Sequence, residues 1–207
     1  MSTGINDIYY SIEAAVSSEF KEKSSKFLAF AYPVNVETEI KENLQKLKEE
    51  FWDASHHCYA FMLGPKYDFF RANDAGEPSH SAGDPILSQI RSLNLTDVLV
   101  VVVRYFGGTK LGVSGLISAY KTAAREALSQ AKIIEKYMTS IYNLKFGPEN
   151  TSWVMKNIKN SNAEIVNQHF HYETVETILT VKVRKSVEET FINNLQSTLG
   201  IEVSGNL

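Results

Sequence analysis

Val98-Leu-Val-Val-Val-Val103 is the feature that most narrows the fold. A run of β-branched and leucine residues with no polar interruption reads as a strand covered on both faces, because a solvated face would place a polar residue at every second position. Arg104-Tyr-Phe-Gly-Gly-Thr-Lys110-Leu-Gly-Val-Ser-Gly115 follows directly, then a helical pattern through Ala131. Strand, glycine-rich bend and helix start together present backbone N–H groups to an anion. The same glycines also suit a plainer purpose, a tight turn that packs helix on strand. The bend is not a P-loop, since Lys110 is followed by Leu111 rather than Ser or Thr, and it does not match the dinucleotide fingerprint.

A strand covered on both faces needs partners, and the flanking chain supplies them. Tyr9 to Val16 and Phe27 to Val34 read as strands joined by a charged connector, Glu19 to Lys26, with Asn35 as an N-cap. Val36 to Trp52 is helical, its stripe formed by Val36, Ile40, Leu44, Leu47 and Phe51, and its charges read as a solvated face. His57 to Leu63 reads as a strand. Asp84-Pro85 is the expected N-cap and first residue of a helix over Ile86 to Leu93. The helix from Val113 to Lys132 carries small residues, Ala119, Ala123, Ala124, Ala127 and Ala131, that permit close packing on a sheet.

The register changes at Ile133 to Tyr137, which divides the chain into domains 1–135 and 136–207. The second part reads strand (Thr139 to Phe146), helix (Asn150 to Asn160), strand (Ala163 to His171), strand (Val175 to Arg184), helix (Val187 to Leu199) and short strand (Ile201 to Ser204). Ser186-Val-Glu-Glu189 has the form of a capping box. The order βαββαβ is the ferredoxin-like arrangement, with one sheet face open. Lys182 and Arg184 fall on one strand face and Phe170 and Tyr172 alternate on a neighbour, a combination that suits single-stranded RNA as well as plain surface.

A net charge of −3 and a pI near 6 give no global field that draws the molecule to nucleic acid or membrane. Cys58 is the only cysteine, which excludes an intrachain disulfide and fits a reducing cytoplasm. The N-terminus lacks the pattern of a signal peptide, and no apolar run approaches a membrane span, so a cytoplasmic protein with no membrane contact is expected.

The polar segment Arg71-Ala-Asn-Asp-Ala-Gly-Glu-Pro-Ser-His-Ser-Ala-Gly-Asp-Pro85 holds Asp74, Glu77 and His80. These residue types serve as acid and base or hold a hard cation, and equally build turns through Asx-type hydrogen bonds. His56, His57 and Cys58 do not converge as a metal site, because alternate strand residues point to opposite faces. Cys58 reads as a small buried hydrophobe.

The Arg71 to Leu87 segment, the Arg104 to Gly112 bend with Gly115, Leu116, Ala119 and Tyr120, and the preceding His57-Cys-Tyr-Ala60 closely resemble the YigZ/IMPACT family. The resemblance implies an α+β chain. Its N-terminal domain would be a left-handed βαβ fold like domain IV of elongation factor G, and its C-terminal domain ferredoxin-like, similar to domain V of that factor. Eukaryotic IMPACT proteins are translation regulators that compete for the activator of a starvation-sensing kinase. For bacterial YigZ-type members the family implies a link to translation or RNA and no established reaction. Four positions depart from the family pattern: Ser118 stands where Arg is usual, Asp84 where Lys or a similar residue is common, and His80 and Ser114 where small residues are usual. A lost cation and a gained carboxylate weaken phosphate binding.

The expected function is therefore that of a non-enzymatic, translation-linked regulator that binds RNA, the ribosome or a ribosome-associated protein. No catalytic residue, metal or cofactor is expected. The expected binding residues are Arg71, Asp74, Gly76, Glu77, Ser79, Gly83, Arg104, Tyr105, Gly107, Gly108, Lys110, Gly112 and Gly115. Arg71, Arg104 and Lys110 would supply charge, and the glycines close backbone approach. The alternative is an enzyme acting on a phosphorylated small molecule or nucleotide through Asp74 and Glu77.

Overall fold

The hydrophobic run becomes the middle strand of a five-stranded sheet. A computed structural model describes residues 6–205, which form two compact units: Tyr9–Lys136, and residues 137–205 with residues 6–8. In chain order the first elements are β1 (Ile8–Ile12), β2 (Val16–Glu22), β3 (Ser25–Pro33), α1 (Glu37–Glu50), β4 (His56–Leu63) and β5 (Phe69–Asn73). Then come α2 (Gly83–Ser92), β6 (Val98–Tyr105), α3 (Gly112–Ser129) and β7 (Ile133–Tyr137). The large sheet has the order β2-β3-β6-β4-β5 with every neighbouring pair antiparallel, while β1 and β7 pair separately.

Helices cover both faces of β6. Leu99, Val101 and Val103 point to the α1 side, where they meet Ile40, Leu47, Phe61 and Leu63. Val98, Val100 and Val102 point the other way, with Phe27, Ala29, Cys58 and Ala60, against α2 and α3. The alanine stripe of α3 lies in that second layer, where short side chains let the helix approach the sheet closely. Packing of this kind makes truncation costly: Leu99→Ala removes about 2–5 kcal/mol.

Several local expectations change. Glu19 to Lys26 is not a connector. Its residues form most of β2 and the start of β3, joined through Lys23 and Ser24 at φ 46° and 67°. β2 is an edge strand with alternate residues exposed, so charge along it is compatible with pairing. β5 occupies the beginning of the segment read as turn-rich. Asn35 and Asp84 do not cap their helices: the N-caps are Val36 and Ala82, neither with a side-chain bond. The Asn35 N–H instead donates to Glu39 Oε2 at 2.6 Å.

The second unit contains β8 (Thr139–Phe146), α4 (Thr151–Asn160), β9 (Glu164–His171), β10 (Glu176–Arg184), α5 (Glu188–Gln196) and β11 (Ile201–Gly205). Its sheet is antiparallel in the order β11-β8-β10-β9. Leu144, Phe146, Leu179, Val181 and Val183 form a core with Val154 and Ile158 of α4 and Phe191 and Leu195 of α5. The capping box at Ser186 does not form. The N-cap is Val187, and the Ser186 N–H donates to Asp7 Oδ2 at 3.0 Å. β9 carries a bulge: Val181 opposes Ile165 while Thr180 opposes Asn167, leaving Val166 as the extra residue. Phe170 therefore lies opposite Thr177, on the helix-covered side, so it does not share a face with Lys182 and Arg184. His169 and His171 take that place, opposite Ile178 and Glu176.

Candidate functional site: a cleft between the polar loop and the glycine bend

At the end of β6 the alternation of the strand decides which side chains enter the site. Arg104 follows Val102 to the α2/α3 side, whereas Tyr105 turns to the α1 side and donates its hydroxyl to Asp53 Oδ1 at 2.8 Å. Arg104 is only 5% exposed. Its Nη1 donates to Glu77 Oε1 at 2.6 Å, and the Tyr120 hydroxyl donates to the same oxygen at 2.7 Å. His56 Nε2 stands 3.9 Å from it. Arg104 Nη2 reaches Ser25 Oγ at 3.4 Å, and the Gly107 N–H donates to that hydroxyl at 3.2 Å. Phe27 and Phe106 lie with their ring centres 5.5 and 5.6 Å from the guanidinium carbon. A planar guanidinium suits this setting because it binds carboxylate and stacks on rings at once. Arg104 Nε is buried without a hydrogen-bond partner.

Asp74 shapes the loop that delivers Glu77. Its Oδ1 accepts N–H bonds from Ala82 and Gly83 at 2.9 and 2.8 Å, its Oδ2 accepts one from His80 at 2.8 Å, and its carbonyl accepts the Glu77 N–H at 2.9 Å. Burial pushes the Asp74 carboxyl up, but the backbone N–H groups of Gly83, His80 and Ala82 outweigh it and hold the group below the usual carboxylate range. Oδ1 thus serves the first N–H groups of α2, and Oδ2 holds the loop at His80. Among the described residues no group of three or more His, Cys, Asp or Glu side chains is placed to hold a metal ion.

Cys58 closes the network from below. Its Sγ lies 3.0 Å from the Asp74 carbonyl and 3.3 Å from the Tyr120 hydroxyl. Burial pushes the thiol up to about 12, and the Tyr120 phenol is raised by the same cause. Neither group is poised as a nucleophile or base near neutral pH.

The bend itself is built by close backbone approach. A Cβ on Gly107 would stand 2.0 Å from the Ser24 carbonyl carbon, so only glycine fits there. Gly108 and Gly112 have φ of 84° and 72°. Above the buried pair opens a cleft of about 380 Å³ lined by Pro78, Phe106, Lys110, Leu111, Val113 and Leu116, with Glu77, Arg104 and Gly112. A smaller hollow of about 170 Å³, bordered by Phe20, Glu22, Lys23, Gly115 and Ser118, shares Leu111 with it.

Of the residues expected to bind, Glu77, Arg104, Lys110 and Gly112 line the cleft, Gly107 and Gly108 build the bend, and Gly115 borders the hollow. Asp74, Gly76 and Gly83 support the loop: Gly76 has φ 90° against the His56 ring, and a Cβ on Gly83 would stand 2.5 Å from the Asn73 nitrogen. Ser79 is exposed. Two residues fall elsewhere. Tyr105 faces α1, and Arg71 opposes Phe61, which packs on the α1 side, so Arg71 cannot contribute charge to the cleft. Arg104 does not offer free charge either, since Glu77 neutralises it. Ser25, His56, Cys58, Phe106 and Tyr120 complete the site without having been expected in it. Tyr120 gave a usable signal, a bulky polar-tipped residue on the alanine stripe of α3; Ser25 gave none. His80 and Asp84, two of the four departures from the family pattern, pair with each other at 2.6 Å on the surface, and the carboxylate raises the His80 pKa.

Comparison with known proteins places this site inside a recognised domain. Residues 23–128 match the Impact N-terminal domain. The chain is 38% identical over 133 residues to IMPACT family member YvyE of Bacillus subtilis, covering 64% of this chain and 61% of that protein. It is 46% identical over 107 residues to the IMPACT family member in pol 5'region of Thermus thermophilus, covering 52% and 56%. Both matches span less than two thirds of those relatives. A third, an IMPACT family member of Haemophilus influenzae, is 29% identical over 197 residues and covers 94% of this chain and 92% of that protein. The crystal structure of a hypothetical protein shares the fold with a TM-score of 0.72 at 24% identity, covering 96% of this chain and 97% of that one. The polar loop and the glycine bend both lie within the matched domain, which takes in half of the sequence, and the chain belongs to the IMPACT family.

Proposed function

We propose that the protein is a non-enzymatic, translation-linked binding module that engages RNA, the ribosome or a ribosome-associated protein through the cleft between the polar loop and the glycine bend. One observation carries the reading: the cleft is open and mostly apolar, while the acid and base beneath it are spent on each other. A hydrolytic or transfer site needs an available base, nucleophile or electrophile. Here Asp74 caps a helix, Glu77 holds Arg104, and the Cys58 thiol is driven up by burial. The translation link rests on family resemblance, as does the proposed cytoplasmic setting together with the lone buried thiol.

The same reading extends to the architecture. We take the first domain as residues 1–135, a left-handed βαβ fold like domain IV of elongation factor G, supported by the β3–α1–β4 crossover around β6. We take residues 136–207 as ferredoxin-like, supported by the element order and the β11-β8-β10-β9 sheet. Co-sedimentation with ribosomes tests the function: Phe106→Ala and Lys110→Ala are expected to weaken it without lowering the melting temperature. Undiminished sedimentation by both variants removes the cleft from the proposal. A melting-temperature rise with a nucleotide or sugar phosphate, abolished by Glu77→Ala, would favour the enzyme instead.

A further inference from the structure

We infer that the cleft takes an extended acidic–apolar peptide segment of a partner protein, with an apolar side chain seated beside Phe106 and a neighbouring carboxylate held at Lys110 and the start of α3. The inference rests on the reading of the cleft as a contact site and adds the chemistry of its occupant. Shape comes first. The cleft and the hollow share Leu111 as a common wall, so two depressions lie side by side along the first turns of α3, where Gly115 leaves the helix surface low, and the line across them is the groove. A groove of that form fits a side chain in each depression and a backbone between them.

Charge selects the kind of segment. The first turn of α3 contains no acidic residue, and its N-cap, Leu111, makes no side-chain bond, so the positive end of an 18-residue helix faces the groove with no carboxylate of its own; of the two that line the groove, Glu77 is held by Arg104 and Glu22 lies in the hollow. Lys110 and Lys23 stand exposed on the rim, and neither has an ion-pair partner among the described residues. Behind them the Arg104 guanidinium keeps one buried nitrogen unpartnered. A carboxylate or two meets this field; a longer polyanion does not. Nucleic acid draws its affinity from many phosphates neutralised together, whereas this groove offers two lysines, one of them beside the Glu22 carboxylate, apolar walls in the cleft and a chain of net charge −3. Phe106 and Val113, about half exposed, supply the apolar anchor surface that a peptide hot spot uses.

The test follows backbone amide shifts of the full-length, ¹⁵N-labelled protein. The probe is an acetylated and amidated hexapeptide alternating phenylalanine or leucine with aspartate, and the control replaces each aspartate with asparagine. The acidic peptide is expected to shift amides between residues 106 and 116 saturably. The neutral control and Lys110→Glu should each bind at least about threefold more weakly, as for loss of an exposed ion pair. Phe106→Ala should bind about tenfold more weakly. Both substitutions are at exposed positions, and unchanged shifts elsewhere report an intact fold. Equal shifts with the neutral peptide, or shifts outside the bend, overturn the inference. Oligouridylate moving these amides where the peptide does not also overturns it, while leaving the broader contact-site reading intact. Loss of ribosome or partner binding altogether would remove that broader reading independently of the peptide result.

Discussion

Glu77 and Arg104 meet at 2.6 Å with only 4% and 6% of their side chains exposed, so the floor of the cleft is an ion pair closed on itself. Breaking such a pair from one side leaves a buried charge with no counterpart, which costs about 3–5 kcal/mol. Glu77→Ala should therefore lower the urea midpoint far more than the double variant Glu77→Leu with Arg104→Met, in which neither charge remains. If the single and double variants are equally destabilised, the pair is not the organising element described above.

Tyr120 joins the pair to the sheet through its hydroxyl, 2.7 Å from Glu77 and 3.3 Å from Cys58. Tyr120→Phe keeps the ring packed edge-on against Phe27 and removes only the hydroxyl. Loss of one bond to a charged acceptor predicts destabilisation of about 1.5–3 kcal/mol in equilibrium unfolding. A change below a few tenths would mean the hydroxyl is dispensable.

Cys58 gives a kinetic readout of the same layer. With the thiol pushed up to about 12, its thiolate is scarce at pH 8 in the folded protein, whereas an unfolded thiol ionises near 8.5. Labelling by a thiol reagent should be on the order of a thousandfold slower in the native state than in denaturant. Rapid native labelling at pH 8 would contradict the burial.

Two neighbouring glycines should respond unequally. Gly107→Ala places a methyl 2.0 Å from the Ser24 backbone, while an alanine at Gly108 meets open space and suffers only from φ 84°. Gly108→Ala should cost about 1 kcal/mol, in line with the left-handed penalty, and Gly107→Ala distinctly more. Thermal unfolding of the two variants ranks them; the reverse order would show that the bend yields at Ser24.

In the second unit, Asp7 accepts from Arg184 at 2.7 Å, and that guanidinium holds its carboxyl at about 2, against an ordinary 3.8. The folded value lies below the unfolded one, so the stabilisation is full above pH 3.8 and disappears as pH falls through about 2. A shift of that size corresponds to about 2 kcal/mol at neutral pH. Asp7→Asn should be less stable than the parent by about that amount at pH 7, and the two should converge in acid. A constant difference across the range would reject the assignment.

Periodicity made the core of both units legible because burial and side-chain alternation are both written into local sequence: Val98–Val103 reads as covered on two faces, and it is. Charge misled wherever it sat on an edge. Glu19–Lys26 looks like a connector, yet an edge strand tolerates charge on its solvated side. The cleft was legible in part. Glu77, Arg104 and the glycines stand out by type, but their pairing joins residues far apart in the chain, and no local signal says that Arg104 is already neutralised. Arg71 and Tyr105 misled for the opposite reason, being correct in type but on the wrong face of a strand whose alternation only the register fixes.

The extra residue at Val166 reaches beyond its own strand. β9 is an edge of the second sheet, with no strand beyond it among the described residues, and edges of this kind are where sheets recruit further chains into fibrils. A bulge spoils the even spacing that an incoming strand would have to copy. Straightening β9 by deleting that residue would remove this guard against polymerisation.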